Sequence, residues 1–139
     1  MPTDAWNLPN LLATPTRSPR RFVVLHHECP TRGPHLDWMF EPEASDAPLP
    51  SARLAADPRH GGPGTTLLLE PGPDHRRAYL DAASEPRELS GGRGLVRLEA
   101  AGTWAVSGGT LAVHWEGLAA PQAWRATPGP DGLTLERLT

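Results

Sequence analysis

Residues 102–115 read GTWAVSGGTLAVHW. Two strand-like runs, Gly102 to Val106 and Thr110 to Trp115, flank Ser107, Gly108 and Gly109, and a tight glycine turn between such runs is the pattern of a β-hairpin. Residues 123–138, AWRATPGPDGLTLERL, repeat the pattern with Asp131 and Gly132 near the turn. Working outward, further short β-rich runs separated by Gly and Pro lie at Phe22 to Leu25, Leu36 to Glu41, Thr65 to Glu70, Leu95 to Glu99 and Leu133 to Leu138. No amphipathic run of helical period and ten-residue length accompanies them. The expected class is therefore all-β, a compact closed or partly open antiparallel β-barrel, because closure removes the unpaired edges that so many short strands would otherwise expose.

The ends of this pattern set the expected boundaries. Residues 1–20 hold four prolines and no strand or helical period, which predicts an extended, irregular N-terminal arm, with a single barrel domain over residues 21–139. The Pro-, Ala- and Gly-rich stretch from Pro42 to Pro63 is expected to include a long loop. A chain of 139 residues suits one continuous core. There is no apolar run of membrane-spanning length and no signal-peptide pattern, so a soluble, cytoplasmic monomer is the expectation. The lone Cys29 excludes an internal disulfide framework. A net charge of −3, with all thirteen basic residues arginine, excludes bulk electrostatic coating of nucleic acid; any such contact must be local.

Candidate chemistry concentrates in residues 21–41, RFVVLHHECPTRGPHLDWMFE. In a strand, Leu36, Trp38 and Phe40 share one face and His35, Asp37, Met39 and Glu41 the other. The apolar set belongs to the core, which leaves an imidazole and a carboxylate two residues apart on the polar face. His27 ends the preceding strand-like run and comes within coordination distance if the two strands pair. Two histidines and one carboxylate form a half-open metal site, with positions left for water or a phosphate oxygen. A second group lies in residues 74–79, DHRRAY, where His75 offers a proton donor and Tyr79 a phenolic hydrogen bond to a phosphoryl oxygen. Trp38, Trp104, Trp115 and Trp124 read as core or rim aromatics.

Four ordered blocks resemble the 3′-phosphoesterase domain of bacterial ligase D proteins and its free-standing homologues. FVVLHH is similar to the family's strand ending in a metal-binding histidine, at His27. HLDWMFE is similar to its His-x-Asp-x-Arg-Leu-Glu motif, with His35 and Asp37 on the metal ligands. DHRRAYLD looks like the segment whose histidine and tyrosine contact the scissile phosphate, at His75 and Tyr79. GGRGLVRLEAAGTW resembles its glycine-rich turn and following strands. The resemblance implies a β-barrel holding a divalent metal, manganese foremost and zinc as the other choice, and acting on DNA or DNA–RNA 3′ ends that carry a phosphate or a terminal ribonucleotide. It implies work in end joining beside a DNA ligase or an end-binding repair protein. The family's phosphate-binding arginine falls on Met39, so Arg32, Arg76 or Arg93 is expected to supply that cation. Met39 also raises a non-catalytic alternative, a module that binds DNA ends or a repair partner. A third reading is an iron/oxoacid oxygenase with His35, Asp37 and His114 as ligands and Arg125 for the oxoacid.

Overall fold

Alternation along the first two strands decides where the core lies. In a computed structural model describing residues 6–44 and 46–139, β1 (Arg20–Cys29) pairs antiparallel with β2 (Gly33–Phe40), and Phe22 and Val24 turn to the same side as Leu36, Trp38 and Phe40. Seven strands follow: β3 (Ser51–Leu54), β4 (Thr66–Pro71), β5 (Arg87–Glu88), β6 (Leu95–Ser107), β7 (Thr110–Trp115), β8 (Gln122–Gly129) and β9 (Gly132–Arg137). The order around the sheet is β1-β2-β3-β4-β9-β8-β7-β6, and β6 pairs back with β1, closing an eight-stranded antiparallel barrel; β5 is an extra strand on β6. The all-β barrel expectation holds, in its closed form.

The interior is aromatic. Trp38, Trp104, Trp115 and Trp124 are all at most 1% exposed, and Phe22 stands edge-on to Trp115 at 4.8 Å. Buried tryptophans bring N–H groups that need acceptors. The Gln122 amide oxygen accepts from the indole nitrogens of Trp115 at 2.9 Å and Trp124 at 3.0 Å, while its NH2 donates to the Arg59 carbonyl. Gln122→Leu strands both donors inside the barrel and is expected to cost about 2–4 kcal/mol in urea unfolding, against less than about 0.5 kcal/mol for a substitution of exposed Ala112 to Ser.

Two sequence readings change, and a third gains detail. Within the stretch expected to be an extended arm, Leu8–Ala13 forms a short helix, α1, whose Leu8 and Leu12 are buried in the barrel core, while the Trp6 indole N–H donates to the Ser51 carbonyl at 2.7 Å. Six residues are too few to display a helical period, so the helix is set by what it packs against. Residues 1–5 of that arm lie outside the described residues. The Pro42 to Pro63 stretch contains β3. Finally, the runs at Leu95 and Gly102 are one strand, β6, bulged opposite Val24 and Leu25 so that it can bend around the barrel.

Asp57 and Arg59 pin the loop beneath Gln122, with Arg59 Nη2 2.6 Å from Asp57 Oδ2. Burial alone raises the Asp57 pKa, but the hydrogen bonds and charge of Arg59 outweigh it and hold the carboxyl below its ordinary value. A depressed carboxylate pKa contributes stability above the unfolded value near 4, and that contribution is lost as pH falls through the folded value. Asp57→Asn is therefore expected to lower stability at pH 7 by up to about 1 kcal/mol, and the difference from the parent chain to shrink as pH falls through the depressed folded pKa in parallel urea titrations.

Candidate metal centre

The face of β1 and β2 opposite the tryptophan core carries the candidate site, on the outer wall of the barrel. Val23, Leu25 and His27 alternate outward on β1; His35, Asp37 and Met39 do so on β2. The register sets His27 directly across from His35 and Leu25 across from Asp37. The imidazole rings lie edge to face with centroids 4.8 Å apart. Asp37, only 4% exposed, directs Oδ2 at both: 3.4 Å to His35 Nε2 and 3.7 Å to His27 Nδ1. One ligand atom from each of the three residues lies within 4.8 Å of the others.

The remaining ring nitrogens orient this set. His27 Nε2 is 2.8 Å from the Arg93 carbonyl, and His35 Nδ1 is 3.4 Å from the Gly33 carbonyl. A carbonyl only accepts, so each neutral imidazole places its proton on that side and turns a lone pair toward Asp37. Two lone pairs and a carboxylate oxygen then converge, and His35 Nε2 is buried with no hydrogen-bond partner. Convergent acceptors need a positive charge between them, and backbone carbonyls on the distal nitrogens are the outer shell that metal-binding histidines use. The donor set of two nitrogens and one oxygen fits a divalent transition metal.

His75 and Tyr79 reach this face on a segment lashed across it. Leu49 and His75 exchange backbone hydrogen bonds of 2.7 and 2.9 Å, and Ser51 Oγ donates to the Pro73 carbonyl at 2.6 Å. Arg77 donates to Glu41 at 2.7 Å and to the carbonyls of Ala44 and Ala47, so it braces the loop. The His75 and Tyr79 rings meet edge to face at 5.6 Å. Burial pushes the His75 pKa below its ordinary value, opposed by the Asp37 carboxylate, whose charge reaches the ring. His75 Nδ1 is buried without a hydrogen-bond partner.

Neither the protein-family models nor the curated proteins compared with this chain give a match. The resemblance to the phosphoesterase family is carried by the four sequence blocks alone.

The other sequence candidates fall in different places. Arg32 is exposed on the turn between β1 and β2, and Arg76 is exposed with its guanidinium 5.9 Å from the Tyr79 ring centroid. Arg93 is an exposed residue whose carbonyl meets His27. His114 is exposed on β7, separated from β1 by β6, and is not in the group formed by His35 and Asp37; Arg125 pairs with Glu136. Cys29 Sγ lies 3.4 Å from Thr31 Oγ1 and is likewise outside the group. Met39 is 1% exposed and packs with Val23, Leu25, Leu49, Leu80 and Val96, an apolar floor that seats the His75 segment. Sequence reasoning missed Arg53, which sits across from Asp37 on β3, its Nε 4.0 Å from Asp37 Oδ1. Its only sequence signal is alternation within the short run SARL, inside a stretch whose composition reads as loop.

Proposed function

We propose that this chain is a metal-dependent phosphoesterase acting on DNA 3′ ends, removing a 3′-phosphate or a terminal ribonucleotide. The observation that carries the reading is the convergence of His27, His35 and Asp37 with both distal imidazole nitrogens on backbone carbonyls. A divalent ion bound there, manganese foremost and zinc as the other choice, supplies charge neutralisation at the phosphate and orientation of the attacking water. His75 donates a hydrogen bond or proton to the leaving oxygen, and the Tyr79 hydroxyl holds a non-bridging oxygen. A cavity of about 370 Å³ bordered by Arg76, Tyr79, Arg87 and Val96 adjoins this segment, and its size suits the terminal nucleoside. Overall charge is negative, so recognition is confined to this patch. Among the described residues no helix is long and apolar enough to cross a membrane. Work in the cytoplasm as a monomer, beside a DNA ligase or end-binding repair protein, is part of the same proposal.

A duplex with a labelled 3′-phosphate strand tests it. Phosphate release with manganese, abolished by chelator, is the expected result. Tight binding without release would make the chain an end-binding module, the alternative that Met39 favours by filling an arginine's place with an apolar side chain. Neither binding nor release would overturn both. His75→Ala is expected to lower turnover by about 100-fold or more with manganese affinity changed less than about threefold.

A further inference from the structure

We infer that Arg53 is the cation that receives the anionic group of the substrate beside the metal centre. The inference rests on the metal reading above and assigns it a residue that the sequence motifs did not supply. Ala52 and Leu54 are buried in the barrel core, so Arg53, between them, turns outward onto the same face as Asp37, its register partner. Its partner on the other side, Glu70 of β4, makes no ion pair with it.

A guanidinium carries five donors in a planar fork and cannot discharge by losing a proton. Among the described residues the one partner of Arg53 is Asp37, with Nε 4.0 Å from Oδ1, beyond hydrogen-bond range. Yet Nε is buried and has no hydrogen bond. A buried N–H without an acceptor is costly even though the Arg53 side chain as a whole is 29% exposed, and an oxyanion at this point supplies the acceptor. Charge points the same way. One dication, one guanidinium and one carboxylate leave two positive charges, which match a terminal phosphate carrying nearly two negative ones. Arg32 lies out on a turn and Arg76 on the Tyr79 ring, whereas Arg53 stands 4.0 Å from the Asp37 carboxylate. Where an arginine at position 39 would stand in an apolar floor, the guanidinium instead comes from the neighbouring strand.

The probe is inorganic phosphate, titrated calorimetrically into the full chain loaded with manganese, with manganese affinity read separately by electron paramagnetic resonance. Arg53→Met is expected to weaken phosphate binding about 10- to 30-fold with manganese affinity held within about threefold, and Arg53→Lys to recover part of the loss. Thermal melts establish that each variant is folded; if the Met variant is not, the Lys variant, which keeps charge but not the fork, still must bind phosphate more weakly than the parent. Unchanged phosphate affinity would overturn the assignment and leave the metal reading standing. Parallel loss of manganese and phosphate would reduce Arg53 to a support for Asp37. A parent chain that binds no manganese would sink the metal reading, and this inference with it.

Discussion

Asp37→Asn is expected to lower manganese affinity by at least about 100-fold while the barrel stays folded. Changes to groups that only orient metal ligands already cost 10- to 100-fold, and Asp37 is the single anionic donor of the set. Asparagine keeps the shape but removes the charge that balances a dication. The effect on the metal-free chain runs the other way. An amide NH2 facing the lone pairs of His27 and His35 replaces an acceptor with a donor, so the variant without metal should be at least as stable as the parent. Manganese titration followed by resonance spectroscopy, with urea unfolding of the metal-free proteins, reads both effects. Unchanged affinity would mean that these three residues are no metal centre, and a lower metal-free stability would refute the account of their protonation.

Gly102→Ala is expected to destabilise the barrel by about 3 kcal/mol or more, from the addition of a single carbon. Gly102 lies where β6 pairs on both sides, with Phe22 of β1 and with Trp115 of β7, at the seam that closes the sheet. A methyl there would stand 2.0 Å from the His114 carbonyl oxygen and 2.8 Å from the Phe22 ring. Backbone on one side and a core aromatic on the other leave no flexible group to give way, and overpacking of this kind costs 1–3 kcal/mol even where neighbours can shift. Calorimetric melting would show it. Gly109→Ala is the control: a methyl there meets open space, and the cost is confined to its backbone conformation at φ 77°. Equal losses in the two variants would show that the seam is softer than its contacts indicate.

The grouping of His27, His35 and Asp37 was legible because its geometry follows from two local rules. Side chains alternate along a strand, and two adjacent runs joined by a short turn pair antiparallel, so His27, His35 and Asp37 share a face once β1 and β2 form. Legibility ended where a residue's setting depends on a distant strand. Met39 and Asp37 share a face and a strand, yet Met39 packs in an apolar cluster with Leu49, whose backbone pairs with His75, while Asp37 meets His27, His35 and Arg53.

The amino-acid pattern by itself determined the all-β class, the Gly108–Gly109 hairpin and the separation of a tryptophan interior from a histidine-bearing outer face, because each depends on neighbours within about fifteen residues. Tertiary structure alone decided that β6 closes on β1, that α1 lies against the core, and that β3 enters beside β2 and brings Arg53 to Asp37. Those pairings are chosen by which register buries Ala52, Leu54, Leu8 and Leu12, a free energy that exists only when the whole barrel is present.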